Sequence, residues 1–440
     1  MLITGAQLLD GSRADVRVED TITEVGALRP RSGEDVLDAR GGTLIPGLHD
    51  HHVHLRAAAA ALGSVHVGPP EVRTADGMRA VLQRAARRPD GWIRAVGYHD
   101  SVAGPLDRDV LDQLSPRTPV RVQHRSGALW ILNSAALESI GAADHADGRL
   151  FRQDAALART EPPSFGELSA RLAAYGVTAV TDATPGYGHH DVEGFTRARR
   201  SGELRQRLHC MAVAGTGATE MVSIGPAKMI LDDPGLDLEA LTDWVIGNHV
   251  AGHPVAVHAV TDAQLVVTIA ALRTAGVLAG DRIEHAAVVP PDCIADLADL
   301  GITVVTQPNF VAERGDQYLA EVPVSQHDQL WRVATLAGAG VPVALSTDVP
   351  FGAGDPWAAM RAAVHRRTPS GAVLAAAERI SPATALRGFL GRPDRPAVPR
   401  RIAPGEPGDL CLLSAPPETV LAELDAALVT ATVIDGELVR

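Results

Sequence analysis

Pro46-Gly47-Leu48-His49-Asp50-His51-His52-Val53-His54-Leu55 reads as a strand that ends in four histidines and a carboxylate. Side chains alternate along a strand, so Asp50, His52 and His54 share one face while His49 and His51 share the other. Two histidines at i and i+2 can converge on one metal ion. Period alone leaves open whether 49/51 or 52/54 is the inward pair.

Other strand-like segments downstream end in the same way. Ala256-Val257-His258-Ala259, Arg282-Ile283-Glu284-His285 and Ala344-Leu345-Ser346-Thr347-Asp348 each close on a histidine or an aspartate. Lys228 lies in Gly225-Pro226-Ala227-Lys228-Met229-Ile230-Leu231-Asp232 and is the only lysine of the 440-residue chain. Most surface positions accept either cation, so a lone lysine points to a task that arginine cannot do. A buried amine can lose its proton and act as a nucleophile, whereas a guanidinium stays charged. An amine can also capture carbon dioxide as a carbamate and so become an oxygen ligand.

The segments bearing these residues belong to an alternation of strands and helices. Candidate strands are Thr43–Asp50, Val177–Asp182, Arg207–Val213, Ala227–Asp232, Pro254–Val260, Arg282–Ala286, Ile302–Gln307 and Val341–Thr347. Helical spacing falls between them, as in Leu236–Val250 and Asp262–Ala275. Eight strands close a (β/α)8 TIM-type barrel, which keeps its chemistry at the C-terminal strand ends. Residues 46–399 are assigned to that barrel. The interval of about 56–165 is too long for one crossover and carries its own strands, Trp92–Val96 and Val120–Gln123. It is read as an insertion after the first strand. Short strands at both termini, with the hairpin signal Asp435-Gly436, predict a small β-sandwich domain from residues 1–45 and 400–440.

Composition narrows the function classes. A net charge of -13 with no basic run makes nucleic acid and anionic membranes poor partners. No apolar stretch reaches transmembrane length, and Met1 begins directly on a strand-like pattern with no leader-like n-region or h-region. The scattered Cys210, Cys293 and Cys411 form no CxxC pair and read as reduced thiols of a cytoplasmic protein. A small-molecule substrate is expected, and homo-oligomerisation stays open.

Taken together, Pro-Gly-x-x-Asp-x-His-x-His on the first strand, then Lys228, His258, His285 and Asp348, resembles the amidohydrolase superfamily of metal-dependent hydrolases. The resemblance covers almost the whole chain. Within the superfamily it is nearest to the N-substituted formamide deformylase-like branch, through Gly91–Asp100, Trp130-Ile-Leu-Asn133-Ser134, Arg282–Ala286 and Ser346–Pro350. The resemblance selects His52 and His54 as the ligand pair and leaves His49 and His51 as neighbours. It implies a divalent metal, zinc above all and one or two ions. Carbamylated Lys228 would bridge two of them, with His258 and His285 on the second. Asp348 would ligate and act as general base and acid.

The implied reaction is hydrolysis of a non-peptide C–N bond in an N-acyl amide, N-formyl amide or cyclic amide. The same ligand set serves ester or lactone hydrolysis and non-hydrolytic lyase or isomerase chemistry. A barrel kept as a binding or scaffold protein is the non-catalytic reading. Candidate substrate contacts are His189, with His190, and Tyr98, His99, Trp130, Gln307 and Asn309. The chain departs from the branch in two places. Asp232-Asp233-Pro234-Gly235 replaces a long loop after the lysine strand, and Gly127 and Ala128 stand where a histidine often precedes the Trp–Asn–Ser motif.

Overall fold

A computed structural model describes residues 1–88, 90–115, 117–153, 157 and 163–440. The chain forms two compact units, Met1–His54 with Leu168–Arg440, and Leu55–Glu167.

The larger unit contains the barrel. Its first strand is Leu48–Val53, every residue of which is buried. Parallel pairing runs from there to Val177–Asp182, Arg207–Met211 and Val222–Gly225. A second run joins Ala227–Ile230, Val255–Ala259, Arg282–His285, Thr303–Thr306 and Val343–Leu345. Pro226 separates Val222–Gly225 from Ala227–Ile230. Lacking an N–H, it cannot donate to a ladder. The fourth barrel strand is therefore split, one half serving the third strand and the other the fifth. The eighth strand closes on the first where Asp348 N donates to His52 O at 3.0 Å and His54 N donates to Val349 O at 2.9 Å. The fold is a (β/α)8 barrel.

Helices cover the strands because their ends are capped and their inner faces are apolar. Asp262–Ala275 starts at a capping box made by Thr261 and Gln264, and Leu238–Val250 starts on the Asp237 carboxylate. Leu241, Val245, Leu265, Ile269 and Leu272 from these helices pack on Val255, Val257 and Ile283. Each such buried side chain contributes roughly 1.5–3 kcal/mol.

One boundary differs from the sequence reading. Thr43–Asp50 is not a single strand: Thr43–Pro46 pairs antiparallel with Leu410–Leu413, and only Leu48–Val53 enters the barrel. The chain changes sheets at Gly47, whose N–H donates to Asp409 O at 2.8 Å. A Cβ there would lie 2.1 Å from Thr178 Cγ2, so only glycine fits between the two sheets. The expected sandwich is realised as one mixed sheet built from both termini. Its order is Glu437–Leu438, Val429–Ile434, Leu410–Leu413, Thr43–Pro46, Leu2–Gln7, Arg13–Val18 and Ile22–Gly26, with Val36–Asp38 added on Leu2–Gln7. Ile3, Val16, Val18, Leu44, Leu412 and Val433 form its core. The Asp435-Gly436 turn has φ of 53° and 75°, both positive as a type I′ hairpin requires.

The smaller unit is a five-stranded mixed sheet. Val65–His66, Ile93–Tyr98 and Val120–His124 are parallel, and Leu129–Leu132 and Arg149–Phe151 follow antiparallel. Met78, Leu82, Ile93, Leu111, Val120 and Val122 fill its core.

Candidate metal centre

The barrel strand ends bring six of the sequence-derived residues into one neighbourhood. His52 lies at the end of the first strand, next to its last residue Val53, and His54 follows it; Lys228, His258 and His285 lie on the fourth, fifth and sixth strands; Asp348 comes just after the eighth. One nitrogen each of His52 and His54 and one oxygen of Asp348 all lie within 4.8 Å of one another. His54 Nε2 is 3.4 Å and His52 Nε2 3.7 Å from Asp348 Oδ1. Lys228 Nζ donates to His52 Nε2 at 3.1 Å. The His285 ring centre is 4.7 Å from that of His52 and 4.3 Å from that of His258.

Partners on the far side of the rings orient them. His52 Nδ1 donates to Glu284 Oε2. His285 Nδ1 donates to Gln307 Oε1 at 2.8 Å, and Gln307 Nε2 is in turn fixed on Ser346 Oγ at 2.8 Å. His54 Nδ1 lies 3.0 Å from Thr184 Oγ1. In all three rings Nδ1 is engaged and Nε2 remains as the inward atom. Asp348 Oδ1 is buried with no hydrogen-bond partner among the described residues. A buried carboxylate oxygen left without a donor costs free energy. Two imidazole nitrogens facing that oxygen form a donor set that fits a divalent cation such as zinc, manganese, iron or nickel.

The electrostatics agree with that fit. Burial, and then the charge of Lys228, push His52 well below the usual histidine range, and burial also lowers His285. Both shifts favour the neutral ring, the form that binds metals. Burial brings the Lys228 amine down to about 8, against the opposing pull of Glu284 and Asp348. Burial alone would raise the Asp348 carboxyl. The contact with His54 and the neighbouring imidazoles outweigh it and hold the group well below its ordinary value. Asp348 and His285 also sit at φ of 59° and 72°, left-handed backbone that non-glycine residues adopt at a cost.

Lower in the barrel is a second group of histidines. The His49 and His51 rings stack 4.3 Å apart, and His49 Nε2 lies 2.9 Å from Thr181 Oγ1. His209, on the third strand, lies 2.9 Å from Ser223 Oγ through Nδ1, and burial depresses it to about 4. The first strand thus divides its histidines between this interior layer and the strand-end cluster.

The candidate substrate contacts are placed differently. His189 and His190 are exposed on the first turn of the helix His189–Arg200. Gln307 orients His285. Asn309 is buried and donates through Nδ2 to Thr347 O and Glu313 Oε1, both at 3.0 Å, next to Asp348. Trp130 lies in the core of the smaller unit, its ring 5.2 Å from the Arg94 guanidinium. Tyr98 is buried there, its hydroxyl donating to Gly104 O. His99 stands beside His124, and His124, Asp100, Arg149 and Phe151 line a cleft of about 470 Å³ within that unit.

Sequence reasoning passed over Glu284. The available signal was Arg282-Ile283-Glu284, which places two opposite charges on one face of a barrel strand.

A model described as the amidohydrolase family matches residues 35–440. The chain belongs to this family. It is accordingly a metal-dependent hydrolase acting on carbon–nitrogen bonds. It is similar to N-substituted formamide deformylase of Arthrobacter pascens, 26% identical over 98% of this chain and 94% of that protein. It is also similar to a dihydroorotase of Leifsonia xyli, 26% identical over 81% of this chain and 87% of that protein. Among solved structures, an uncharacterized metal-dependent hydrolase from Pyrococcus horikoshii superposes with a TM-score of 0.75 at 18% identity, over 94% of this chain and 97% of that one. An atrazine chlorohydrolase from Arthrobacter aurescens, complexed with zinc, gives a TM-score of 0.56 at 16% identity, over 99% of this chain and 94% of that one. Among the described residues, no helix is long and apolar enough to cross a membrane.

Proposed function

We propose that this amidohydrolase cleaves the C–N bond of a small N-formyl or N-acyl amide, or of a cyclic amide. The observation that carries the reading is the convergence of His52 Nε2 and His54 Nε2 on the buried Asp348 Oδ1 at the strand ends. The similarity to a formamide deformylase along nearly the whole chain supports the substrate class.

His52, His54 and Asp348 would hold a divalent ion, zinc in the first instance. Lys228, His258 and His285 would complete a second position, with Lys228 as a carbamate. An amine lowered to about 8 has a substantial neutral fraction near neutral pH, and the neutral form is the one that adds carbon dioxide. A divalent cation in such a position polarises a carbonyl oxygen and lowers the pKa of water.

Asp348 takes the proton of the attacking water on its other carboxylate oxygen and delivers it to the leaving nitrogen, as base and then acid. A strongly depressed carboxyl stays ionised and ready for the first transfer throughout the working pH range. His285, fixed on Gln307 through Nδ1–H, turns its Nε2 lone pair to the same space, where it would serve as a ligand. Three buried cysteines, none in a disulfide, support a reducing compartment, the cytoplasm.

The test is turnover by the zinc- or manganese-loaded protein on N-formyl amines, N-acyl amines and cyclic amides. Released amine or acid that vanishes with chelator is the expected result. A metal-replete protein silent on that panel but active on lactones would replace the reading.

A further inference from the structure

We propose that Glu284, backed by Arg282, is a positioning residue that locks His52 in the tautomer and orientation needed to bind a cation. This rests on the reading of the strand-end cluster as a metal centre.

Glu284 is fully buried and Arg282 is 2% exposed. The guanidinium grips the carboxylate through Nε to Oε1 and through Nη2 to Oε2, the latter at 3.2 Å. The same Nη2 donates to His51 O at 2.6 Å, while Glu284 Oε2 accepts from His52 Nδ1. The pair therefore starts and ends on consecutive residues of the first barrel strand, His51 and His52. A buried ion pair of this kind is poor value as a stabiliser, because desolvating both charges offsets most of their attraction. Its geometry accomplishes something else. It fixes the peptide oxygen of one residue and the ring of the next, so the ring has no rotational freedom left.

The chemical consequence follows from the proton. An ionised carboxylate only accepts, so Nδ1 carries the hydrogen and Nε2 carries the lone pair. That lone pair faces Lys228 Nζ and Asp348 Oδ1. Among the three inward rings, His54 has a hydroxyl behind it and His285 an amide. His52 alone is backed by a carboxylate, which makes its Nε2 the most basic donor of the three. Arg282 neutralises Glu284 at the same time and holds it back from becoming a ligand itself.

Carboxylates placed behind metal-binding histidines change metal affinity by about 10–100-fold when removed. The experiment measures zinc affinity by chelator competition for the wild-type protein, Glu284→Gln and Glu284→Leu, with no substrate present. Gln keeps an acceptor for Nδ1–H but not the charge, and Leu keeps neither. Affinity should fall about 10-fold or more in Gln and further in Leu. Ring-15N histidine NMR of the chelator-treated wild-type protein, with His52 assigned by His52→Asn, should show Nδ1–H. The Leu variant should show a mixture of tautomers.

Wild-type affinity in both variants, or an Nε2–H tautomer at His52 in the wild-type protein, would overturn the proposal. The wild-type tautomer readout needs no folded Glu284 variant. Failure of the substrate reading leaves both readouts intact, since neither uses turnover.

Discussion

His209→Gln should make the protein less sensitive to acid, by an amount that can be worked out. His209 is 6% exposed and its pKa is depressed from 6.5 to about 4, chiefly by burial. The unfolded chain therefore binds a proton in the window between these values and the folded protein does not. Stability from this group is present above pH 6.5 and is lost as pH falls toward 4. Between pH 7 and pH 5 the loss from this one group is about 2 kcal/mol. Gln keeps a donor and an acceptor for the contact with Ser223 Oγ but cannot titrate. The assay is urea unfolding of wild type and variant at both pH values. Carboxylates that titrate over the same range contribute equally to the two proteins and cancel. Wild type should lose about 2 kcal/mol more than the variant on acidification. Equal losses would refute the idea that the interior layer holds His209 neutral, whatever the absolute stabilities are.

Lys228→Ala should lose both bound metal, read by elemental analysis, and amide turnover; full activity in this variant would remove the carbamate from the mechanism. Gly47→Val should lower the melting temperature sharply, because a Cβ 2.1 Å from Thr178 Cγ2 forces two sheets apart; strain of this sort costs about 1–3 kcal/mol, and unchanged melting would show that the sheet change at Gly47 is mistaken. Cys210, Cys293 and Cys411 should be silent to a thiol reagent until denaturant is added, since all three are buried and burial pushes Cys411 up to about 12; rapid labelling of the native protein would contradict the packing of the barrel and terminal sheet.

The barrel was legible because each of its strands carries a short apolar run, and those around the cluster carry a histidine, aspartate or lysine on or just after the run. That coincidence of pattern and chemistry does not depend on long-range geometry. What escaped the sequence did depend on it. Thr43–Asp50 is an unbroken strand pattern, and nothing local says that Gly47 lies against Thr178 from another element. Pro226 signals an interruption, but not that the halves on either side serve different neighbours. Glu284 reads as an alternating strand residue until closure of the barrel brings the sixth strand's side chains to the first strand. The substrate contacts were the least legible: Trp130 and Tyr98 have the composition of pocket residues, yet both are packed within the smaller unit's own core.

The terminal sheet sets the order in which the molecule can be completed. Thr43 Oγ1 bonds Ala415 O across 372 residues of chain, and Thr43–Pro46 finds its partner strand only in Leu410–Leu413. During synthesis the segment leading directly into His52 and His54 therefore has one edge open until Leu410–Leu413 has been made. Contacts this distant in sequence slow folding and prolong the exposure of unpaired edges. A chain without Leu410–Leu413 can assemble the barrel strands, but Thr43–Pro46, which leads into the strand that carries His52 and His54, lacks its antiparallel partner. Synthesis of Leu410–Leu413 thus acts as a checkpoint on the cluster: a protein without that strand would lack the clamp on the segment that leads into His52 and His54.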